Sequence, residues 1–172
     1  MLKVVIDTSS LVSYVLTRGD IMRRVIAAWR EDQFILLSSA ETRAELAAVV
    51  ARPKIKNLAA APLDELVKGI KRFTRPVYGE VDLQDSKDDK FLACAVAGEA
   101  DYLVSSDRDL LDMERYQDVA ILKPVQFLLA LALSTMEPKE MVQRFEHDTL
   151  KGIAETIPLE PKTASRLEAA LV

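Results

Sequence analysis

Four carboxylates stand where their neighbours give them no ordinary surface role. Asp7 directly follows an apolar, β-branched run at residues 2–6, and Asp107 follows a second apolar run at residues 102–104. An acid placed directly after a buried strand emerges at the carboxyl edge of its sheet. Two such acids meet over that edge when their strands are close neighbours. Glu45 stands on a helical stretch beside Leu46, Val49 and Val50, so it borders the inward stripe. Asp89 aligns with Leu92, Ala93 and Val96 at the spacing of an inward helical face. Acids that converge repel one another unless a proton or a cation intervenes. Magnesium or manganese is the economical partner, because hard cations prefer carboxylate oxygen and keep waters for chemistry. The sequence holds 27 Asp and Glu, and most of them read as solubilising residues, caps and helix ion-pair partners, so placement carries the weight.

The rest of the composition removes competing chemistries. One cysteine, Cys94, has no partner for a disulfide within the chain, and its apolar neighbours make it a small buried hydrophobe on a helix. One histidine, His147, stands in a polar segment that reads as a solvated helix face. A Cys/His zinc site, a Ser/His/Asp or Cys/His nucleophile system and a paired-histidine ribonuclease all need residues that these counts do not supply. Catalysis here has to come from carboxylates, hydroxyls, Lys and Arg.

The elements that must position these groups alternate. Residues 2–6 read as a strand running into an N-cap cluster, Asp7-Thr8-Ser9-Ser10, and a helix carrying Leu11, Val12, Val15 and Leu16. A second helix starts near Asp20, with Val25, Ile26 and Trp29 on one face, and residues 34–37 form the next strand. Ser38 and Glu41 have capping-box spacing for a helix reaching about Ala51, and Pro62 opens another to Phe73. Asp85 or Ser86 begins a helix that Gly98 ends, strands follow at 102–104 and 119–122, and a helix runs over 124–133. Strands separated by helices predict an α/β fold with a central parallel sheet and right-handed crossovers. Such a sheet keeps its site at the carboxyl ends of its strands. After Met136 two short amphipathic segments follow, with apolar stripes formed by Met141, Val142, Phe145 and Leu150, then Leu167, Ala170 and Leu171. Helices this short must bury their stripes, either on the chain's own domain or on a partner. We therefore expect one main domain at residues 1–135 and a helical extension at 136–172 that carries no catalytic residue.

With 172 residues, 49% apolar and 29% charged, the chain has the composition of an ordinary globular protein. No apolar run approaches the ~20 residues that span a bilayer, and residues 1–3 lead straight into the first strand without a secretory leader, so a cytoplasmic protein is expected. The net charge of −4 is uneven: residues 43–75 hold eight Lys or Arg against three acids, whereas residues 80–118 hold four against twelve. Arg52, Lys54, Lys56, Lys68, Lys71 and Arg72 belong to the basic stretch, which reads either as the solvated faces of two helices or as a track for a phosphate backbone.

The segment Val4-Val5-Ile6-Asp7-Thr8-Ser9-Ser10-Leu11-Val12 resembles the opening of PIN-domain nucleases, which usually have Asn where Ser9 or Ser10 stands here. Ser39-Ala40-Glu41-Thr42-Arg43-Ala44-Glu45-Leu46 resembles the segment with the second family acid. Asp85-Ser86-Lys87-Asp88-Asp89-Lys90-Phe91-Leu92-Ala93 resembles the third, and Leu103-Val104-Ser105-Ser106-Asp107-Arg108-Asp109 the fourth. The resemblance spans residues 2–129 and is closest to PIN proteins described as toxin components of bacterial and archaeal toxin–antitoxin pairs. It implies a PIN-like α/β/α sandwich and an endoribonuclease whose Mg2+ or Mn2+ ligands are Asp7, Glu45, Asp89 and Asp107. It implies Asp109 as an auxiliary ligand and the hydroxyls of Thr8 and Ser105 as support. RNA is the implied substrate, and a small antitoxin or a second copy of the chain an implied partner.

Two other readings compete. A catalytically weak binding module keeps the fold and partner without the activity. A receiver-like phosphoacceptor domain is suggested by Lys123-Pro124 after the last strand, but it needs a phosphoacceptor acid that Leu37-Ser38-Ser39 does not supply.

Overall fold

The computed structural model describes residues 1–17, 19–78 and 90–172. In chain order the elements are β1 (Lys3–Ile6), α1 (Thr8–Thr17), α2 (Asp20–Arg30), β2 (Ile35–Ser38), α3 (Ala40–Val50), α4 (Pro53–Phe73) and β3 (Arg75–Pro76). They continue with α5 (Lys90–Ala97), β4 (Tyr102–Val104), α6 (Arg108–Leu111), β5 (Arg115–Tyr116), β6 (Val119–Leu122), α7 (Pro124–Thr135), α8 (Pro138–Arg144), α9 (His147–Thr156) and α10 (Pro161–Leu171). The sheet has the order β3-β2-β1-β4-β6-β5, parallel throughout except for β5, which pairs antiparallel with β6.

Both faces of the sheet are buried, and the side-chain period of two explains how. Val4, Ile6, Leu36, Tyr102, Val104, Ala120 and Leu122 enter a core shared with α1, α2, α3, α4 and α7. The residues between them, Val5, Leu37, Leu103, Val119 and Ile121, enter a second core shared with Phe91, Leu92, Cys94 and Ala95 of α5. The result is the expected α/β/α sandwich with further helices at the C-terminus. Burial also pushes the Cys94 thiol up to about 11, so it is an inert hydrophobe at neutral pH.

Several elements differ from the sequence reading. The capping box of α3 is built by Ser39 and Thr42, whose side chains and backbone amides bond reciprocally, while Ser38 closes β2. Glu41 is instead exposed, its carboxyl held below the usual range by its own backbone N–H and the Ser39 hydroxyl. Helix α4 starts nine residues before Pro62, at Pro53, and breaks at Ala59 (φ −161, ψ 58). Pro62 accounts for the break, because its ring opposes the carbonyl four residues back and it has no N–H to give. Strands β3 and β5 are two residues each, too short to leave a periodic pattern. The predicted start of α5 at residues 85–89 lies outside the described residues. At its other end Gly98 is required by space: a Cβ there would stand 2.6 Å from Leu37 Cδ1 and 2.9 Å from Val77 Cγ2. The left-handed turn falls one residue later on Glu99, φ 50.

The C-terminal helices close the first core from one side. Met136, Met141, Leu150, Ile153, Leu159 and Leu167 belong to the same cluster as Ile6 and Val104. Val142 of the expected stripe stays exposed. The Glu160 amide donates to the Tyr102 hydroxyl at 2.9 Å, and Glu160 then caps α10 by accepting from the Thr163 and Lys162 amides. Burial raises the Tyr102 pKa well above the ordinary phenol range, so the hydroxyl stays protonated. Tyr102 also stacks edgewise on Phe127 at 5.9 Å between centroids. Because Tyr102 begins β4, the extension docks at the end of the strand remote from Asp107.

Tyr102→Phe should therefore keep the ring contact and orphan the buried Glu160 amide. The expected loss is about 1–3 kcal/mol in urea unfolding, with an unchanged slope. An unaltered midpoint would show that this hydrogen bond does not hold the extension down.

Candidate carboxylate site at the sheet edge

Strand order reverses at β1, with β2 and β3 on one side and β4, β6 and β5 on the other. The crevice above that reversal is where open parallel sheets bind ligands. The register pairs Val4 with Tyr102, Val5 with Leu103 and Ile6 with Val104, which brings Asp7 level with Ser105. Asp7 N continues the ladder to Val104 O at 3.0 Å.

Asp7 is 4% exposed. Its Oδ1 accepts from the Ser10 amide at 2.8 Å, the bond of a helix N-cap, and its Oδ2 accepts from Ser9 Oγ at 3.0 Å and Ser105 Oγ at 2.5 Å. Position at the N-terminus of α1 adds the favourable end of the helix dipole. Among the described residues no Lys or Arg forms an ion pair with Asp7. Among the described residues its charge is met by dipoles, an arrangement that leaves it open to a cation.

Asp107 lies one step removed. Its amide donates to Ser105 Oγ at 2.9 Å, so Ser105 joins the two acids by accepting from one and donating to the other. The Asp107 carboxylate is exposed and caps α6 by accepting from the Asp109 amide at 3.0 Å; Asp109 is exposed as well. Glu45 is half-buried and paired with Lys90 Nζ at 2.9 Å, a cationic partner from α5 that local sequence around Glu45 does not reveal. Asp89 lies outside the described residues. Thr8 is buried, and its Oγ1 finds no hydrogen-bond partner among the described residues; the hydroxyls that reach Asp7 are those of Ser9 and Ser105. Sequence reasoning missed Ser9 and the Ser10 amide as donors. The spacing of an N-cap, residue to residue plus three, was the available signal for the latter.

Among the described residues no group of three or more His, Cys, Asp or Glu is placed to hold a metal. The donors that do gather are carboxylate and hydroxyl oxygens, with neither thiolate nor imidazole, and one buried acid lacks a counter-charge. That chemistry fits a hard divalent cation and does not fit zinc held by sulfur or nitrogen.

The basic residues are distributed along α4. Arg52 is its N-cap, Lys54 and Lys56 precede the break at Ala59, and Lys68, Lys71 and Arg72 follow Pro62. All six are exposed and none is paired with a carboxylate among the described residues. Lys68, Lys71 and Arg72 share one face by their spacing, and the break interrupts any single stripe with Lys54. The Arg72 guanidinium lies 5.2 Å from the Phe73 ring centroid. Arg43 enters from α3, where its Nη1 donates to Ser38 Oγ at 2.9 Å at the carboxyl end of β2.

Ser105→Ala and Asp7→Asn test this geometry through a double-mutant cycle. A coupling of about 1 kcal/mol or more is expected, since Ser105→Ala removes the donor and Asp7→Asn removes the charge that strengthens the bond. Additive effects on stability would mean that the hydroxyl does not hold the acid.

No curated protein matches the chain. A family model described as PIN domain matches residues 3–109, which run from β1 to the first two residues of α6 and include Asp7, Glu45, Asp89, Asp107 and Asp109. PIN domains are generally nucleases and typically use divalent metals. With more than half of its length matched, including Asp7 at the reversal point of the sheet, the chain belongs to the PIN-domain family.

Proposed function

We propose that this protein is a Mg2+- or Mn2+-dependent endoribonuclease that hydrolyses phosphodiester bonds of RNA at the edge formed by β1 and β4. The observation that carries the reading is Asp7: a buried carboxylate at the reversal point, fixed by three donors and without a basic partner among the described residues. In this reading Asp7, Glu45, Asp89 and Asp107 would hold the metal, with Asp109 as auxiliary and Ser105 keeping Asp7 oriented. A bound magnesium or manganese ion supplies a water of lowered pKa and neutralises charge on the phosphate. The protein's part is to hold the carboxylates rigid, so that no reorganisation is needed when charge develops. Glu45 has to exchange the Lys90 ammonium for this role, and both side chains are exposed enough that the pair contributes no more than about 1 kcal/mol. The unpaired basic residues of α4 would guide the phosphate backbone.

The resemblance to toxin components extends the proposal to a role in the cytoplasm as the toxin of a toxin–antitoxin pair, checked by a small protein partner. Residues 136–172 are assigned no catalytic part, because Glu160 is spent on capping α10 and Arg166 donates to Ser134 O. A second reading, a PIN-fold binding module of weak activity, draws on the Glu45–Lys90 pair and on the Asp107 carboxylate being turned to α6.

Purified protein should cut single-stranded RNA with Mg2+ or Mn2+ and not in EDTA. Asp7→Asn, which nearly preserves volume, should lower the rate by at least about a hundredfold while the protein stays folded. Metal-independent cleavage that survives Asp7→Asn would overturn the carboxylate mechanism, and binding without cleavage would favour the second reading.

A further inference from the structure

A groove of about 380 Å3 opens on the same edge of the sheet, on the side away from Glu45. Three places build it: the end of α1 with the start of α2, the loop after β4, and the entry to α7. Its size falls within the roughly 300–1,000 Å3 of small-molecule clefts. The walls are mainly apolar, with Ile21 and Val125 exposed at 39% and 54%. Ser106 lies on its rim and faces Ser10 Oγ at 3.4 Å, so the groove runs into the residues that hold Asp7.

Charge selects the occupant. Asp20, the acid lining the groove, is ion-paired with both Arg23 and Arg24, and these guanidinium groups hold its carboxyl below the usual range. Thr17 Oγ1 is already used in both directions, donating to Ser13 O and accepting from the Gly19 amide. Lys123 is exposed, and no carboxylate pairs with it among the described residues. The groove thus combines an apolar wall with a surplus positive charge, beside the acids.

We propose that this groove holds one nucleotide of a single-stranded substrate next to the cut bond, its base along Ile21 and Val125 and its phosphate against Lys123. The proposal rests on the nuclease reading above. A base reaches such a wall only when it is out of a duplex stack, which makes the groove a selector of single-stranded over double-stranded substrate.

The test is binding of a short fluorescent oligouridine to the full chain in EDTA, measured by anisotropy across a salt series, with cleavage measured separately in Mg2+. Lys123→Gln should weaken binding and reduce the slope of log K against log salt by about 0.7, the loss of one phosphate contact. Val125→Asp should raise Kd about tenfold through like-charge repulsion with the strand. Val142→Asp, on the remote α8, should leave both unchanged. If Val125→Asp fails to fold, Ile21→Asp probes the same wall. Parent-like affinity and slope in the groove variants would overturn the groove proposal while leaving the nuclease reading intact. A parent protein that neither binds nor cuts the oligomer would overturn both.

Discussion

Lys3 and Asp101 exchange two hydrogen bonds at one end of the β1–β4 pair, the Lys3 amide donating to Asp101 Oδ2 and the Asp101 amide to Lys3 O. At the other end the Asp7 amide reaches Val104 O and the Ser105 hydroxyl reaches Asp7. Between these fastenings only one register is possible, and the carboxyl edge inherits it. A slip of one residue would turn Ile6 and Val104 out of their core and carry Asp7 away from Ser105. The penalty is large because both faces are buried, so the position of Asp7 is fixed by packing far below it.

Electrostatics at this edge is a balance between desolvation and dipoles. Burying a carboxylate costs several kcal/mol after relaxation. Three charge-assisted hydrogen bonds return about 1.5–3 kcal/mol each, and the helix terminus a further 0.3–1 kcal/mol. The two sides are of the same size, so the buried Asp7 carboxyl needs no ion pair among the described residues to hold its place. The ion pairs on the surface, such as Asp20 with Arg24, are worth less than any one of these bonds.

Much of this was legible in residue order. Strand β1 with its terminal acid, β4 with Ser105 behind it, and β6 followed by Pro124 all announce themselves by apolar runs that stop abruptly, and these runs define the sheet. What was not legible has a common cause in competition between equivalent local signals. Ser38 and Ser39 both precede a helix, and Glu41 and Thr42 are both capable third residues; the pairing of Ser38 with β3 decided between them. Pro62 suggested a helix start that the structure moves back to Pro53, and so concealed the shorter limb before Ala59. The partner of Glu45 lies 45 residues downstream, beyond the reach of any spacing rule. Ser105 was found only through the resemblance, as a hydroxyl supporting the acids, whereas Asp107 was found by a place after a strand that matches that of Asp7.

The last helices pack on α7 and close one side of the first core. Leu167 and Met141 share a core with Ile6, and the bond from Glu160 to Tyr102 closes a loop of 58 residues. Synthesis delivers residues in order, roughly 5–20 each second. The first core is therefore begun early and closed late, several seconds after Asp7 and Asp107 have left the ribosome. Over that interval the flank of α7 that α10 later covers is the apolar surface still waiting for its partner within the chain, and it is there that a chaperone has something to hold.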